Sequence, residues 1–406
     1  MTPGSPFRFI QTGDIHLDQP LGGLTEVPKH LREIFLSAPR QAFQQVVENA
    51  LLHEVDFVLI TGNLLDIRQS SPVIVGFLLD QLETLEDAGM QVYWIGGEVD
   101  PPARWPASIH LPRNVHTVGP GKPIEIIHHR GDEAVCKIVA QGFIGRDPSW
   151  GQFRPDPAEL FTIGALHGDF EAESMARSGI PYWALGGKEL RERMGASPAI
   201  AIYNGSPQGR TITHNGQRTC TLVEVDEQGD IAMEAIPTDV CRWQSEIIEL
   251  ENCKKVSDLT QIIKNRLNTL STTKGNRQLM IDWRVIVANE ATRDLLKEET
   301  WLEITAELNK QFGQEPMGSW TYELTVETGA VIPEAWYQEQ SICGDYLRLT
   351  RELAADPNLP IDLEAFLAES HEESQLAEAV AIDSRENRRR VLQDARRLGV
   401  QLLRAE

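Results

Sequence analysis

The chain is poor in paired cysteine, in basic charge and in long apolar runs. Its five cysteines, Cys136, Cys220, Cys241, Cys253 and Cys343, are scattered with no C-x-x-C spacing. That argues against a zinc ribbon and a disulfide framework, and it suits a reducing compartment. Lysine and arginine number 38 against 60 aspartate and glutamate, a formal charge of -22 at pH 7. A surface this acidic does not attract a polyanion through its overall field, so any nucleic-acid contact needs a local patch or a metal. No apolar run approaches the ~18 residues expected of a membrane span. The opening residues MTPGSPFRFIQTGD hold no apolar stretch of the secretory kind, so a cytoplasmic location without membrane contact is expected. What is present is ordinary globular composition: 406 residues, 41% hydrophobic and 24% charged. That length allows two or three domains.

The first 240 residues read as alternating strand and helix. Strands are expected at Phe7 to Gln11, Val55 to Ile60 and Gln91 to Ile95. A helix is expected to open near Pro39, where proline suits a first turn; Phe43, Val46, Val47, Ala50 and Leu51 continue it at three- and four-residue spacing. Another helix covers about 72 to 88, and six further strand-like runs follow between Ile124 and Asp226. Strand-rich sequence after βαβ units predicts an α/β fold of two stacked sheets with helices outside. The expected domains are residues 1-240, a small α/β unit over 241-332, and a helical segment over 333-406. Between Arg385 and Arg404 stand seven arginines interleaved with Val391, Leu392, Leu398, Leu402 and Leu403. This is an amphipathic helix with a basic face, read as a docking surface.

The chemistry-bearing residues collect where strands end. The loops are Asp14-Ile15-His16, then Gly62-Asn63-Leu64-Leu65-Asp66, then Gly97-Glu98-Val99-Asp100, then His167-Gly168, then Gly186-Gly187-Lys188-Glu189. Carboxyl-end loops are where α/β sheets gather ligands. Aspartate and histidine two residues apart share one cation readily, and this oxygen and imidazole pair suits Mn, Fe or Zn.

Taken in order, these loops resemble the calcineurin-like metallophosphoesterases, and most closely the SbcD and YhaO group of DNA-repair exonucleases. That family's motifs run D-x-H, G-D-x-x-D, G-N-H-D, a His-Gly after a strand, and G-H-x-H. Tyr182-Trp183-Ala184-Leu185-Gly186 and Gly205-Ser206-Pro207-Gln208-Gly209-Arg210 strengthen the likeness. It spans about residues 6 to 240, and more loosely the small domain, which would be the family's cap. The resemblance implies two stacked mixed β-sheets flanked by helices and metal-dependent phosphodiester hydrolysis on DNA ends. It also implies an SMC-like ATPase as partner and dimerisation.

The residues depart from that pattern. Asp14, His16 and His167 stand at metal-ligand positions. Asn63 stands where the family has the aspartate that bridges two metals, Glu98 replaces an asparagine, and Val99 replaces the histidine that acts on the leaving group. Gly187 and Glu189 replace both histidines of the last motif. A neutral amide offsets the repulsion of two close dications poorly, and valine moves no proton. Two readings stay open. One is a single Mn or Mg held by Asp14, His16 and His167 with Glu98 and Glu189, supporting hydrolysis. The other is a metal-free relative that binds the partner or DNA ends without cleavage. Asp66 and Asp100 read as loop braces, His128 and His129 as surface residues, and Trp94, Trp183 and Trp243 as core. Arg210 reads as a structural residue or a phosphate contact.

Overall fold

The computed structural model of the protein describes residues 5–24, 27–156, 160–194, 199–250, 255–287, 298–328, 332–355 and 385–404. The chain forms two compact units. The first comprises Met1–Gln244, Lys274–Met280 and Glu315–Gly318; the second comprises Ser245–Thr273, Ile281–Gln314 and Ser319–Glu406.

In the first unit, strands β1 (Phe7–Thr12), β2 (Phe57–Ile60), β3 (Gln91–Ile95) and β4 (Val115–Val118) are paired in parallel in that order. β11 (Thr219–Val225) joins β1 antiparallel, and β12 (Ile231–Pro237) completes the six-stranded sheet. The second six-stranded sheet runs β5 (Ile124–Arg130), β6 (Glu133–Gln141), β7 (Phe161–His167), β8 (Tyr182–Gly186), β10 (Ile200–Tyr203), β9 (Glu192–Met194). Its four central strands are parallel, and each edge strand is antiparallel to its neighbour.

Side-chain alternation builds the layers. Phe9, Phe57, Leu59 and Tyr93 meet Ile138, Ile163, Tyr182 and Ile202 of the facing sheet. Their neighbours Ile10, Val58, Ile60 and Val92 point the other way, onto α1 (Arg32–Leu52) and α2 (Pro72–Asp87). Strands buried on both faces read as continuous apolar runs for this reason. Gln11 is the buried exception; its amide donates to Ile202 O at 2.8 Å and accepts from Tyr182 Oη at 2.6 Å.

Two expectations need correction. Helix α1 opens at Arg32, and Pro39 lies inside it. Proline has no N–H for the carbonyl four residues back; here that carbonyl, Phe35 O, accepts instead from Leu21 N at 2.9 Å. His128 is not a surface residue: it is 3% exposed, with Nδ1 2.9 Å from Tyr93 Oη. Helix α2 opens as its sequence suggests, with Pro72 in the first turn and Ser71 as the N-cap. A five-residue helix, α3 (Ala172–Ala176), follows β7.

The remaining sheet has the order β13 (Cys241–Leu250), β14 (Gln278–Val287), β15 (Ser319–Thr328). Helices α4 (Val256–Thr273) and α5 (Glu298–Phe312) belong to the second unit. The amide of Asn309 on α5 closes two hydrogen bonds with the backbone of Thr321, at 2.6 and 2.9 Å. Of the small α/β unit expected over 241-332 and the helical segment expected over 333-406, residues 288–297 and 356–384 lie outside the described residues. Of the C-terminal segment, α6 (Glu334–Tyr337), α7 (Ile342–Ala355) and α8 (Arg385–Leu403) are described. Leu347 and Val400 share a small core with Tyr337 and Cys343. Three of the tail arginines are used inside this unit. Arg396 pairs with Glu249 at 2.9 Å, Arg404 pairs with Glu339 and stacks on Trp336, and Arg388 donates to Leu353 O. No helix among the described residues is long and apolar enough to cross a membrane.

Candidate functional site

The loops after β1 and β2 run side by side at the carboxyl ends of their strands. The N–H groups of Asp14, His16 and Leu17 donate to the carbonyls of Gly62, Asn63 and Leu64, each at 2.9 Å. Asp14, His16 and Asn63 all have positive φ, 50°, 50° and 54°. Non-glycine residues adopt this region at a cost of about 1–3 kcal/mol each, and such strain clusters at functional sites. Gly62 has φ 89°, and a Cβ there would collide with His167 Nδ1 and lie 2.8 Å from Gly97 Cα. The loops are closed onto one another too tightly for any side chain at this position.

Asp14 is 2% exposed. Its Oδ1 accepts from Asn63 Nδ2 at 2.9 Å and its Oδ2 from Gly187 N at 2.8 Å. Burial raises its pKa to about 6, against the lowering effect of nearby His167. His167 lies at the end of β7, with Nδ1 2.7 Å from Thr61 O. A carbonyl only accepts, so Nδ1 carries the proton of this bond and Nε2 is left outside it. Metal-ligating histidines are oriented in this way. His16 is also buried, and its Nδ1 has no hydrogen-bond partner. Burial, then the charge of Arg210, lowers its pKa to about 3, so it is neutral at pH 7.

Asn63 bridges by hydrogen bonding where the family pattern has a bridging carboxylate. Its amide donates to Asp14 and accepts from Val99 N at 3.3 Å. Asp100 braces the loops after β2 and β3 and the end of β3 at once. Its Oδ1 accepts from Asn63 N and Gly97 N, and its Oδ2 from Leu64 N and Trp94 Nε1, all between 2.7 and 2.9 Å. Asp66 is likewise a brace; hydrogen bonds from Arg68 lower its pKa despite its burial. Both aspartates do what their place in the motif suggests.

The last motif is rebuilt. Gly187 has φ 107°, and its N–H serves Asp14. Glu189 Oε1 is bound by Arg210 Nη2 and lies 3.5 Å from His16 Nε2. Arg210 keeps most of its side chain out of solvent, and its own N–H donates to His214 Nδ1 at 3.1 Å. Arg218 caps the carbonyls of Glu189, His214 and Asn215. Glu98, by contrast, is exposed, and its carbonyl accepts from Arg104. Thus Asp14, His16, Asn63, His167 and Glu189 gather in one place with Arg210, and Glu98 does not join them. Thr61 and His214 belong to the site without any signal in the sequence, since one acts through its carbonyl and the other lies on a 3-10 turn after the last motif.

These residues do not fit a pair of dications. The bridging group is a neutral amide with both ends engaged, one ligand position is glycine, and the carboxylate at another is held by a guanidinium. Among the described residues no three histidine, cysteine, aspartate or glutamate side chains converge as a metal cluster.

No family model matches the chain. Over 337 residues it is 26% identical to the uncharacterized metallophosphoesterase YhaO of Bacillus subtilis (strain 168), covering 79% of this chain and 81% of that protein. The chain is thus similar to YhaO over most of the length of both proteins. Among solved structures, a dimetal phosphatase from Danio rerio aligns with a TM-score of 0.37 at 10% identity, over 57% of this chain and 96% of its own. A novel archaeal phosphodiesterase aligns with a TM-score of 0.31 at 12% identity, over 56% of this chain and 99% of its own.

Proposed function

We propose that this chain is a metallophosphoesterase-fold protein in which an internal ion pair has replaced the paired-metal centre. In this reading it is a binding scaffold for an SMC-like ATPase at DNA ends, and not an SbcD/YhaO-type exonuclease. The observation that carries it is Arg210: its guanidinium is bound to Glu189, beside His16. A fixed monocation there neutralises a carboxylate that a metal would otherwise claim, and it repels an incoming dication. Val99, at the leaving-group position, has no proton to give. The strained loops around Asp14, His16 and Asn63 persist all the same, which supports a retained binding surface. A protein partner suits the charge of -22 better than a long DNA duplex does.

A second reading rests on His167. Its Nδ1 hydrogen bond to Thr61 O leaves Nε2 as a donor to one Mn or Mg, with Asp14 and His16 beside it. Elemental analysis of Mn-loaded, desalted protein separates the two. The scaffold reading expects no retained ion in the folded protein, and metal uptake on combining Asn63→Asp with Arg210→Gln. About one ion, lost in Asp14→Ala, establishes the second reading instead; two ions overturn both. Co-purification with a large ATPase in the presence of chelator is the corresponding partner measurement, and salt-sensitive DNA binding that survives chelator would assign the DNA ends.

A further inference from the structure

A cavity of about 190 Å³ opens beside the third strand-end loop, lined by residues between Asp100 and Leu111 together with Leu65, Ile67, Trp94 and Thr117. We propose that it binds one planar aromatic ring carrying an anionic group. The inference does not depend on whether the neighbouring centre holds metal.

Three observations point to such a ligand. The first is size: an apolar cavity of about 150 Å³ accepts benzene, so this one takes a ring or a small fused ring system and little more. The second is the lining. Trp94 and Trp105 meet edge to face at 5.7 Å and 81°, and Leu65, Ile67, Ile109 and Leu111 supply the rest of the apolar wall. Both indole N–H groups are already satisfied, Trp94 by Asp100 Oδ2 at 2.7 Å and Trp105 by Ile109 O at 2.8 Å. The rings are therefore fixed and present their carbon surfaces. Pro101, Pro102 and Pro106 stiffen the segment that carries Trp105. A preformed apolar site loses little on binding, and ring–ring contact adds about 0.5–1.5 kcal/mol beyond burial. The third is charge. Asp100 also lines the cavity, but both its oxygens are saturated by four N–H donors, so it offers a ligand no acceptor. Arg104 is exposed at the rim, and Nη1 donates only to the carbonyls of Glu98 and Val99. No carboxylate among the described residues pairs with it, so its charge remains available to an anion. An apolar slot with one cation at its mouth selects a ring with an anionic tail.

Two sources share this chemistry, a nucleotide and an aromatic carboxylate. The test is calorimetric titration of the full chain with 5′-AMP, indole-3-acetate, neutral indole and ribose 5-phosphate. Saturable binding of 5′-AMP alone assigns a nucleobase; binding of indole-3-acetate alone or of both assigns the wider class of ring anions. In either case Trp105→Ala abolishes binding. Arg104→Gln, at an exposed position that leaves the fold intact, weakens the anionic ligands about tenfold and leaves neutral indole unchanged. The proposal is overturned if neither ring anion binds, if ribose 5-phosphate binds as tightly as they do, or if affinity in Arg104→Gln equals that of the parent.

Discussion

The two halves of the candidate site are held together by different physics. The half built from Asp14, Asn63 and His167 is locked by backbone. Its side chains bond to Gly187 N, Val99 N and Thr61 O, its loops share a run of main-chain hydrogen bonds, and Asp100 ties the loops after β2 and β3 together. The half built from Glu189 and Arg210 is held by side-chain charge, a carboxylate against a guanidinium, and the neutral imidazole of His214 joins it by accepting from the Arg210 backbone N–H. A backbone-locked loop has a geometry that does not depend on a ligand. A half held by side chains depends on which charges meet there.

The contrast can be broken or sharpened by mutation. The largest effect is expected in the brace of the locked half. Asp100→Ala leaves four buried N–H donors without an acceptor and should cost about 4 kcal/mol of unfolding free energy in urea titration. A loss below about 1 kcal/mol would mean that the loops hold without it. Next comes the rebuilt half. Glu189→Ala strands the largely buried Arg210 and should cost about 2 kcal/mol, with Arg210→Gln in the same chain restoring most of it; no recovery in the double variant would show that the pair is not the unit. His214 gives a smaller, pH-dependent effect. Burial, then Arg218 and Arg210, lowers its pKa to about 4, so the folded state favours the neutral ring. That contribution is present above the unfolded value of about 6.5 and is lost as pH falls toward 4. His214→Gln should therefore be less stable than the parent at pH 7.5. The gap should narrow by about 1 kcal/mol by pH 4, after allowance for partial exposure; a gap that stays constant would show that the ring does not titrate as described. Smallest is Glu98→Gln, an exposed residue outside the cluster, which should change stability by less than about 0.5 kcal/mol and leave metal content unaltered.

Much of the fold could be read in the chain because its signals are local. Ser71-Pro72 announces the start of α2, and the doubly buried strands read as apolar runs. Asp66 and Asp100 were legible as braces because a second carboxylate in a glycine turn finds N–H groups nearby. Pro39 misled because the compensation for its missing N–H comes from Leu21, in a preceding loop. His128 misled because its partner, Tyr93, lies on the facing sheet.

The sequence by itself determined which chemistry is missing: an amide at Asn63, an aliphatic side chain at Val99, no side chain at Gly187. Those are covalent facts that no fold can alter. Only the tertiary structure decided what took the place of the missing groups. Glu98 and Glu189 are alike on paper, both carboxylates at altered motif positions. One faces solvent, while the other is claimed by Arg210, which the fold carries to it from 21 residues away. A carboxylate's role is set by the charge that lies within a few ångströms of it, and that distance exists only once the strands have paired and their end loops have closed together.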